Sequence, residues 1–240
     1  MFRNIFGFHK GKHFIEHVFQ EFAEMLDDTE MMFKAVVGRL LDHLDEPNLK
    51  ARIYKLDGRV NSLERNIRKR VAEHLAVQPT VDVPASLVLM SVVKDAERLG
   101  DYVKNLYEVT ELLAKPIDKA LYEEYFGRMD ADILTLFARA RQAFVEEDEA
   151  KARAAWDCQK SIKERCEKAL CQIVNSTLSV NEAVCLSLVA RYFKRPVSHL
   201  VNIATASILP LDELDYFDER ILSHERADTA VPTPEKLDKH

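Results

Sequence analysis

The sequence predicts an all-α protein built from two tandem antiparallel three-helix bundles, with six long helices in all. Apolar residues make up 47% and charged residues 31% of the 240 residues, and only 6 glycines and 8 prolines interrupt the chain. This composition favours long helices over a turn-rich β fold. An internal repeat, described below, divides the helices into two sets of three.

Helical periodicity between the proline and glycine positions places the six helices. Their predicted ranges are 12–45, 48–77, 84–114, 117–145, 149–176 and 180–208. In the second and third helices, apolar residues recur at alternating spacings of three and four, so that each helix buries one seam. These two helices are therefore predicted to pack as an antiparallel hairpin closed around Pro79. Residues 211–240 form an acidic segment and a polar tail that is predicted to be disordered.

The internal repeat relates the third predicted helix to the sixth at an offset of 97 residues. The offset pairs Leu89 with Leu186, Val92 with Val189, Arg98 with Arg195 and Asn105 with Asn202. The second predicted helix aligns with the fifth at an offset of 100 residues. The two offsets differ by three residues, which a change in the length of one loop would explain. We therefore predict two copies of a three-helix unit, residues 1–115 and 116–210.

Charge and hydropathy exclude several classes of protein. The formal net charge of −6 argues against binding to nucleic-acid backbones, which needs a concentrated basic face. No window of about 18 apolar residues occurs, and the start lacks the apolar core of a signal peptide, so no membrane span or export is predicted. The four cysteines form no CxxC pair, which favours free thiols in the cytoplasm.

Acidic and amide side chains form a row on the third predicted helix. Glu97, Asp101, Asn105 and Glu108 follow one another at spacings of four, four and three, which stacks their oxygens on one face. Each lies off the apolar seam of its helix. We therefore expect this acidic row to be open to solvent.

The predicted hairpin brings acidic residues of the second helix to the same height as this row. In an antiparallel pair, two residues are level when their numbers have a constant sum. Asp57 with Asp101, and Asn61 with Glu97, share one such sum, which is the sum expected for a symmetrical turn at the predicted position. Glu64 lies one turn further along the second helix. Carboxylates held this close repel and raise one another's pKa values unless a cation lies between them.

The residue types indicate which cation would bind. Oxygen ligands favour hard metal ions, and the absence of His and Cys from the set argues against a structural zinc cage. The predicted ligands are Asp57, Asn61, Glu64, Glu97, Asp101 and Glu108. One or more divalent or trivalent ions are expected, with iron, Mg, Mn, Ca and Zn not distinguished. The alternative is a row of ordinary charges on a solvated helix face.

These motifs resemble a known family. The segments Ala96–Asp101 and Asn105–Glu108 resemble the ERIGD…NIxE signature of the PhoU phosphate-uptake regulators, and Asp57xxxAsn61xxGlu64 resembles their upstream acidic motif. The resemblance covers about residues 12–210. It implies a six-helix, two-repeat bundle with a multinuclear metal cluster at the surface of each repeat.

The same resemblance implies a role and a place in the cell. PhoU-like proteins are cytoplasmic regulators or accessory proteins of phosphate uptake and phosphate signalling, not enzymes. The implied partner is a phosphate transporter or its sensor kinase at the cytosolic face of the membrane. The resemblance leaves homo-oligomerisation open.

The second repeat departs from the family pattern at its acidic positions. Lys194 and Ser198 stand where Glu and Asp would recur, and Ser161 replaces an acidic or amide residue, so that only Asp157 and Glu164 remain. We therefore predict a metal site in the first repeat alone. Lys194 is expected to lie close to both remaining carboxylates and to replace the lost metal as a fixed internal cation.

Two other functions stay open at this stage. A helical di-metal enzyme would use the same carboxylates, although ferritin-like sites require a Glu-x-x-His motif, which this sequence lacks. A structural coiled-coil adaptor without metal would use the acidic stripe only for solubility. The metal content of the purified protein separates the adaptor from the regulator.

Overall fold

The computed structural model describes residues 12–41 and 46–217, and the all-α fold class is confirmed there. The α-helices of this part of the chain are α1 (Lys12–Leu41), α2 (Leu49–Val77), α3 (Val83–Leu112), α4 (Lys119–Phe126), α5 (Met129–Glu146), α6 (Glu149–Val174) and α7 (Val180–Ala206). A short 3₁₀ turn covers Leu211–Glu213. The predicted end of the first helix and the predicted disordered tail lie outside the described residues.

The fourth predicted helix is interrupted, so the expectation of one helix over 117–145 was wrong. The chain forms α4 and α5 instead, separated at Gly127, whose φ is +57° and ψ −126°. Residues with a side chain rarely adopt this conformation, and only glycine does so without strain. Asp118 starts α4, because its carboxylate accepts hydrogen bonds from the backbone N–H groups of Ala120 and Leu121.

The helices pack in two sets that share one core. Helices α1, α2 and α3 pack against one another, as do α5, α6 and α7, and α3 packs along α7 between the two sets. Phe193 of α7 is fully buried, with ring centroids 5.9 Å from both Phe33 of α1 and Phe126 of α4. At one end of the bundle, the Asn181 amide donates to the Leu112 carbonyl and accepts from the Ala114 N–H.

The α2–α3 hairpin has the predicted turn. It closes between Val77 and Val83, with Asp82 in the left-handed region at φ +58° and Pro84 in the first turn of α3, where its missing N–H costs nothing. His74 Nε2 lies 3.3 Å from Asp82 Oδ2. This short connection keeps α2 and α3 antiparallel and side by side, which fixes the geometry of the acidic residues between them.

Among the helices within residues 12–41 and 46–217, none is both long and apolar enough to cross a lipid bilayer.

Candidate functional site

Asp57 of α2 and Asp101 of α3 lie level with each other, as the hairpin geometry predicts. Lys104 Nζ lies 3.0 Å from Asp57 Oδ2 and 3.1 Å from Asp101 Oδ1, so these two oxygens are within about 6 Å of each other. Gly100 of α3 packs directly against Asp57. A Cβ atom at Gly100 would lie 3.6 Å from Asp57 Oδ1, an ordinary van der Waals distance.

Glu64 and Glu97 form the second part of the site. Arg68 lies 3.1 Å from Glu64 Oε1 and Arg98 lies 3.6 Å from Glu97 Oε2, but neither contact has hydrogen-bond geometry. Both carboxylate oxygens are buried and have no hydrogen-bond donor within the described residues. Burial, and then the charge of the neighbouring Asp101, raise the pKa of Glu97. At this end of the site the two arginines lie near the carboxylates but leave one oxygen of each without a hydrogen bond.

The site is less open than the sequence predicts. Asp57 is 8% exposed and Glu64 9% exposed, and Glu97 and Asp101 of the acidic row are half-buried, whereas this row was expected to be open to solvent. The prediction considered each helix alone. Where α2 and α3 lie side by side, the flank of each helix is covered by the other, and Asp57 lies against Gly100 and Lys104 of α3.

The remaining two predicted ligands are placed differently. Asn61 is half-buried one turn after Asp57 and makes no hydrogen bond among the described residues. Glu108 is exposed two turns beyond Asp101, and its Oε1 accepts a hydrogen bond from the Tyr54 hydroxyl at 2.9 Å. The structure therefore places Glu108 at the edge of the site, one step away from the group around Asp57.

Lys104 is the main residue that the sequence reasoning missed. It bridges Asp57 and Asp101, while the Arg98 guanidinium lies 3.0 Å from the other oxygen of Asp101. Lys104 and Arg98 each lie three residues from Asp101 on α3, a spacing that commonly pairs opposite charges. That spacing was the available signal.

A second buried carboxylate, also missed, lies on α1. Asp28 is 1% exposed, and Arg59 of α2 donates to it at 2.9 Å and to Glu24 at 2.5 Å. Burial raises the pKa of Asp28, and the Arg59 charge opposes this shift. Arg59 therefore joins α2 to α1, and its contacts are with Asp28 and Glu24 and not with the carboxylates between α2 and α3.

The donor set fits a hard metal ion by its chemistry but is not arranged as a closed coordination shell. No three His, Cys, Asp or Glu side chains within residues 12–41 and 46–217 converge closely enough to hold an ion. The oxygens of Glu64 and Glu97 that accept no hydrogen bond are available as ligands. Asp57 and Asp101 become available to the same ion only if Lys104 moves from between them.

The second set of helices differs from the prediction. Lys194 Nζ lies 2.6 Å from Glu167 Oε1, and Asp157 pairs with Arg153 at 3.6 Å. The expectation that Lys194 pairs with Asp157 and Glu164 was therefore wrong. A flexible four-carbon side chain can reach a partner above or below its own level, which the level rule ignores.

Comparison with known proteins points to one family. Residues 22–110 match the family model described as the PhoU domain, and this range contains all six predicted ligands. No curated protein matches the sequence.

Two solved structures are similar in fold. One is the crystal structure of PhoU from Pseudomonas aeruginosa, with a TM-score of 0.70 and 21% identity over 83% of this chain and 97% of that chain. The other is the crystal structure of the phosphate transport system regulatory protein PhoU from Streptococcus pneumoniae, with a TM-score of 0.67 and 18% identity over 81% of this chain and 95% of that chain.

The fold and the acidic site define a PhoU-like helical bundle. Residues 22–110 of this chain match the PhoU domain model, and the chain has the fold of the two PhoU structures over most of its length. The resemblance inferred from the Glu97–Asp101 motif is confirmed.

Proposed function

We propose that this protein is a regulator of phosphate transport that acts through protein contacts. The observation that carries the proposal is the PhoU domain match over residues 22–110, which covers the last two thirds of α1, all of α2 and almost all of α3. The similar structure from Streptococcus pneumoniae is described as a phosphate transport system regulatory protein, which supports the same role. In this proposal the protein is cytoplasmic, is not an enzyme, and contacts a phosphate transporter or its sensor kinase.

The second part of the proposal is a hard metal ion, or a small cluster of ions, bound between α2 and α3. Asp57, Asn61, Glu64, Glu97 and Asp101 would hold it. The buried oxygens of Glu64 and Glu97 that lack hydrogen-bond donors support this assignment, because buried carboxylate oxygens are costly to leave unpaired. A bound ion would coordinate these two oxygens, which the nearby Arg68 and Arg98 leave without a hydrogen bond.

Glu108 belongs to the proposed site only at its edge. It is exposed, and the Tyr54 hydroxyl donates to it. It would join the ligands only when a second ion is present, since Asp101 lies two turns away on the same helix. We therefore expect its removal to lower metal content less than removal of Asp101.

A gene deletion in the source organism tests the regulatory role. Phosphate uptake and the expression of phosphate-starvation genes are measured at high and low phosphate, with the wild-type gene restored as control. We expect deletion to uncouple uptake or starvation expression from external phosphate, and restoration to reverse this. Unchanged uptake and expression at both concentrations would contradict the proposed function.

Metal analysis of the purified protein tests the site. Bound metal is measured by mass spectrometry after equilibration with Mn²⁺ or Fe³⁺ and desalting. Asp57→Ala and Asp101→Ala are expected to lower the bound metal by at least half. Asp157→Ala is the matched control, because Asp157 is the exposed counterpart of Asp57 in the predicted repeat. Equal metal content in all four proteins, or none in the wild type, would contradict the metal site.

A further inference from the structure

An open groove of about 720 Å³ lies between α6 and α7. The end near the α6–α7 turn is apolar. Its walls are formed by Leu170, Val174, Leu178, Val180, Val184 and Leu188. Along α7, Val180, Val184 and Leu188 are spaced by four residues, so they form a continuous apolar stripe along the length of the groove.

Large apolar side chains in this groove are exposed to water. Val174 is 79% exposed, Val180 81% and Val184 52%. Single exposed apolar residues are common on protein surfaces, but a contiguous group lining a concave surface is typical of a binding site. The groove therefore has the character of a docking surface.

The other end of the groove is positively charged. Arg191, Lys194 and Arg195 line it. Lys194 contacts Glu167, and the Arg195 guanidinium lies 5.7 Å above the Tyr102 ring of α3. Arg191 is exposed and has no ion pair or hydrogen bond among the described residues, so it is free to bind an external anion.

The charge of this groove is opposite to that of the α2–α3 site. In the predicted repeat, Lys194 corresponds to Glu97 and Ser198 to Asp101. The positions that carry carboxylates in the first set of helices therefore carry a cation and a hydroxyl in the second. Such a surface fits an anionic partner and does not fit a metal ion.

We propose that the groove between α6 and α7 binds an acidic amphipathic helix of a protein partner. Apolar side chains of that helix, spaced three or four residues apart, would fill the half lined by Val184, and its carboxylates would contact Arg191 and Lys194. A helix laid between two antiparallel helices is a common recognition mode, and its charge complements the basic end. This inference names the partner chemistry and rests on the proposed action through protein contacts.

The shape of the surface favours a helix over a membrane. Segments that bind a bilayer present a convex apolar face with cations around its border. Here the apolar residues line a concave channel, and the cations stand at one end of it. A flat lipid surface could reach only the edges of that channel.

Selection from a displayed library of helical peptides tests the proposal with the full-length protein. The library fixes Leu at one helical stripe and randomises the other positions, and bound peptides are then measured by fluorescence polarisation. We expect enrichment of Asp and Glu at one end of the stripe. Val184→Asp and Arg191→Glu should each weaken these peptides at least tenfold. Val77→Asp and Lys168→Glu are the controls, because Val77 is 79% exposed on α2 and Lys168 is exposed on α6 outside the groove.

Several results would overturn the proposal. They are no enrichment, enrichment without acidic residues, or peptide binding that Val184→Asp and Arg191→Glu leave unchanged while circular dichroism reports an intact fold. Binding to phosphatidylglycerol vesicles that the same two variants abolish, without peptide binding, would assign the groove to the membrane. The outcome is separable from the proposed regulation, because the gene deletion tests phosphate control without reference to this groove.

Discussion

The ammonium group of Lys104 on α3 lies 3.0 Å from the Asp57 carboxylate on α2, and this contact joins the two helices in the middle of the candidate metal site. Burial alone would lower the pKa of Lys104, but its hydrogen bonds to Asp57 and Asp101 outweigh burial and raise it. Lys104 therefore stays charged at neutral pH. The protein carries its own cation between two of the predicted metal ligands.

Replacing Lys104 should strengthen metal binding. A metal ion must break two charge-assisted hydrogen bonds to displace Lys104, and each such bond is worth about 1.5–3 kcal/mol. We expect Lys104→Met to raise the affinity for Mn²⁺ by about tenfold or more, as measured by titration calorimetry. The metal-free variant should melt at a lower temperature, because Asp57 loses its partner.

The control for this variant is Lys50→Met on the exposed face of α2. Lys50 lies outside the acidic site and makes no ion pair among the described residues. It should leave Mn²⁺ affinity and melting temperature unchanged. If Lys104→Met binds Mn²⁺ no more tightly than the wild type, then Lys104 does not compete with the ion.

The hairpin geometry could be predicted from the sequence, whereas the ion pairs could not. One apolar seam on each helix and a turn near Pro79 were sufficient to place Asp57 level with Asp101, because backbone rise and register are regular. The reach of a long side chain is not regular. Lys104 and Lys194 each select a carboxylate through several rotatable bonds, so periodicity predicts their helix face but not their partner.

Acidification should begin to weaken metal binding at a higher pH than it would if Glu97 had the ordinary pKa of a glutamate. A carboxylate must be ionised to bind a cation, and burial, together with the charge of Asp101, raises the pKa of Glu97 above the ordinary value of a glutamate. Mn²⁺ affinity, measured from about pH 7.5 down to about pH 5, should therefore begin to fall before a glutamate of unperturbed pKa would titrate. Glu97→Gln should bind more weakly at neutral pH and lose this early decline.

The raised pKa of Glu97 also affects the stability of the metal-free protein, which should be lower at neutral pH than at acidic pH on account of this group. Because the pKa of Glu97 is higher in the folded state than in the unfolded state, its ionised form opposes folding above the folded pKa. This destabilisation disappears as the pH falls below the pKa of Glu97 in the unfolded chain. Glu97→Gln should therefore raise the melting temperature of the metal-free protein at pH 7. A lower melting temperature at pH 7 would contradict this account of Glu97.

Replacing Gly127 by any residue with a side chain should destabilise the protein, although there is space for the side chain. No atom lies within 4 Å of a Cβ placed there, so the cost of Gly127→Ala is conformational, about 1–3 kcal/mol for φ +57°. Gly58 is the matched control, because it lies inside α2 with equally open space. Gly58→Ala should stabilise the protein by about 0.5–1 kcal/mol. Urea denaturation of both variants measures their free energies of unfolding. If both substitutions destabilise the protein, the cost at Gly127 cannot be assigned to its positive φ.

This break could not be predicted from periodicity alone. A single glycine inside a helical pattern is tolerated in many helices, so residues 117–145 predict one continuous segment. Asp118 caps the start of α4, Gly127 ends it at a positive φ, and α4 packs against α6. Hydrophobic periodicity reports neither the cap nor the backbone conformation of the glycine.

The thiols should differ in reactivity according to their burial. Burial raises the pKa of Cys166 to about 12, and Cys185 is also buried, whereas Cys171 is exposed on α6. The thiolate is the reactive form, so at pH 8 Cys166 stays protonated and inert in the folded protein. We expect a disulfide reagent to modify one thiol rapidly, and all four only after unfolding in guanidinium. Cys171→Ser should abolish the rapid phase, with the half-buried Cys158 reacting slowly in both proteins. A rapid phase that persists in Cys171→Ser would contradict the assignment of the fast-reacting thiol to Cys171.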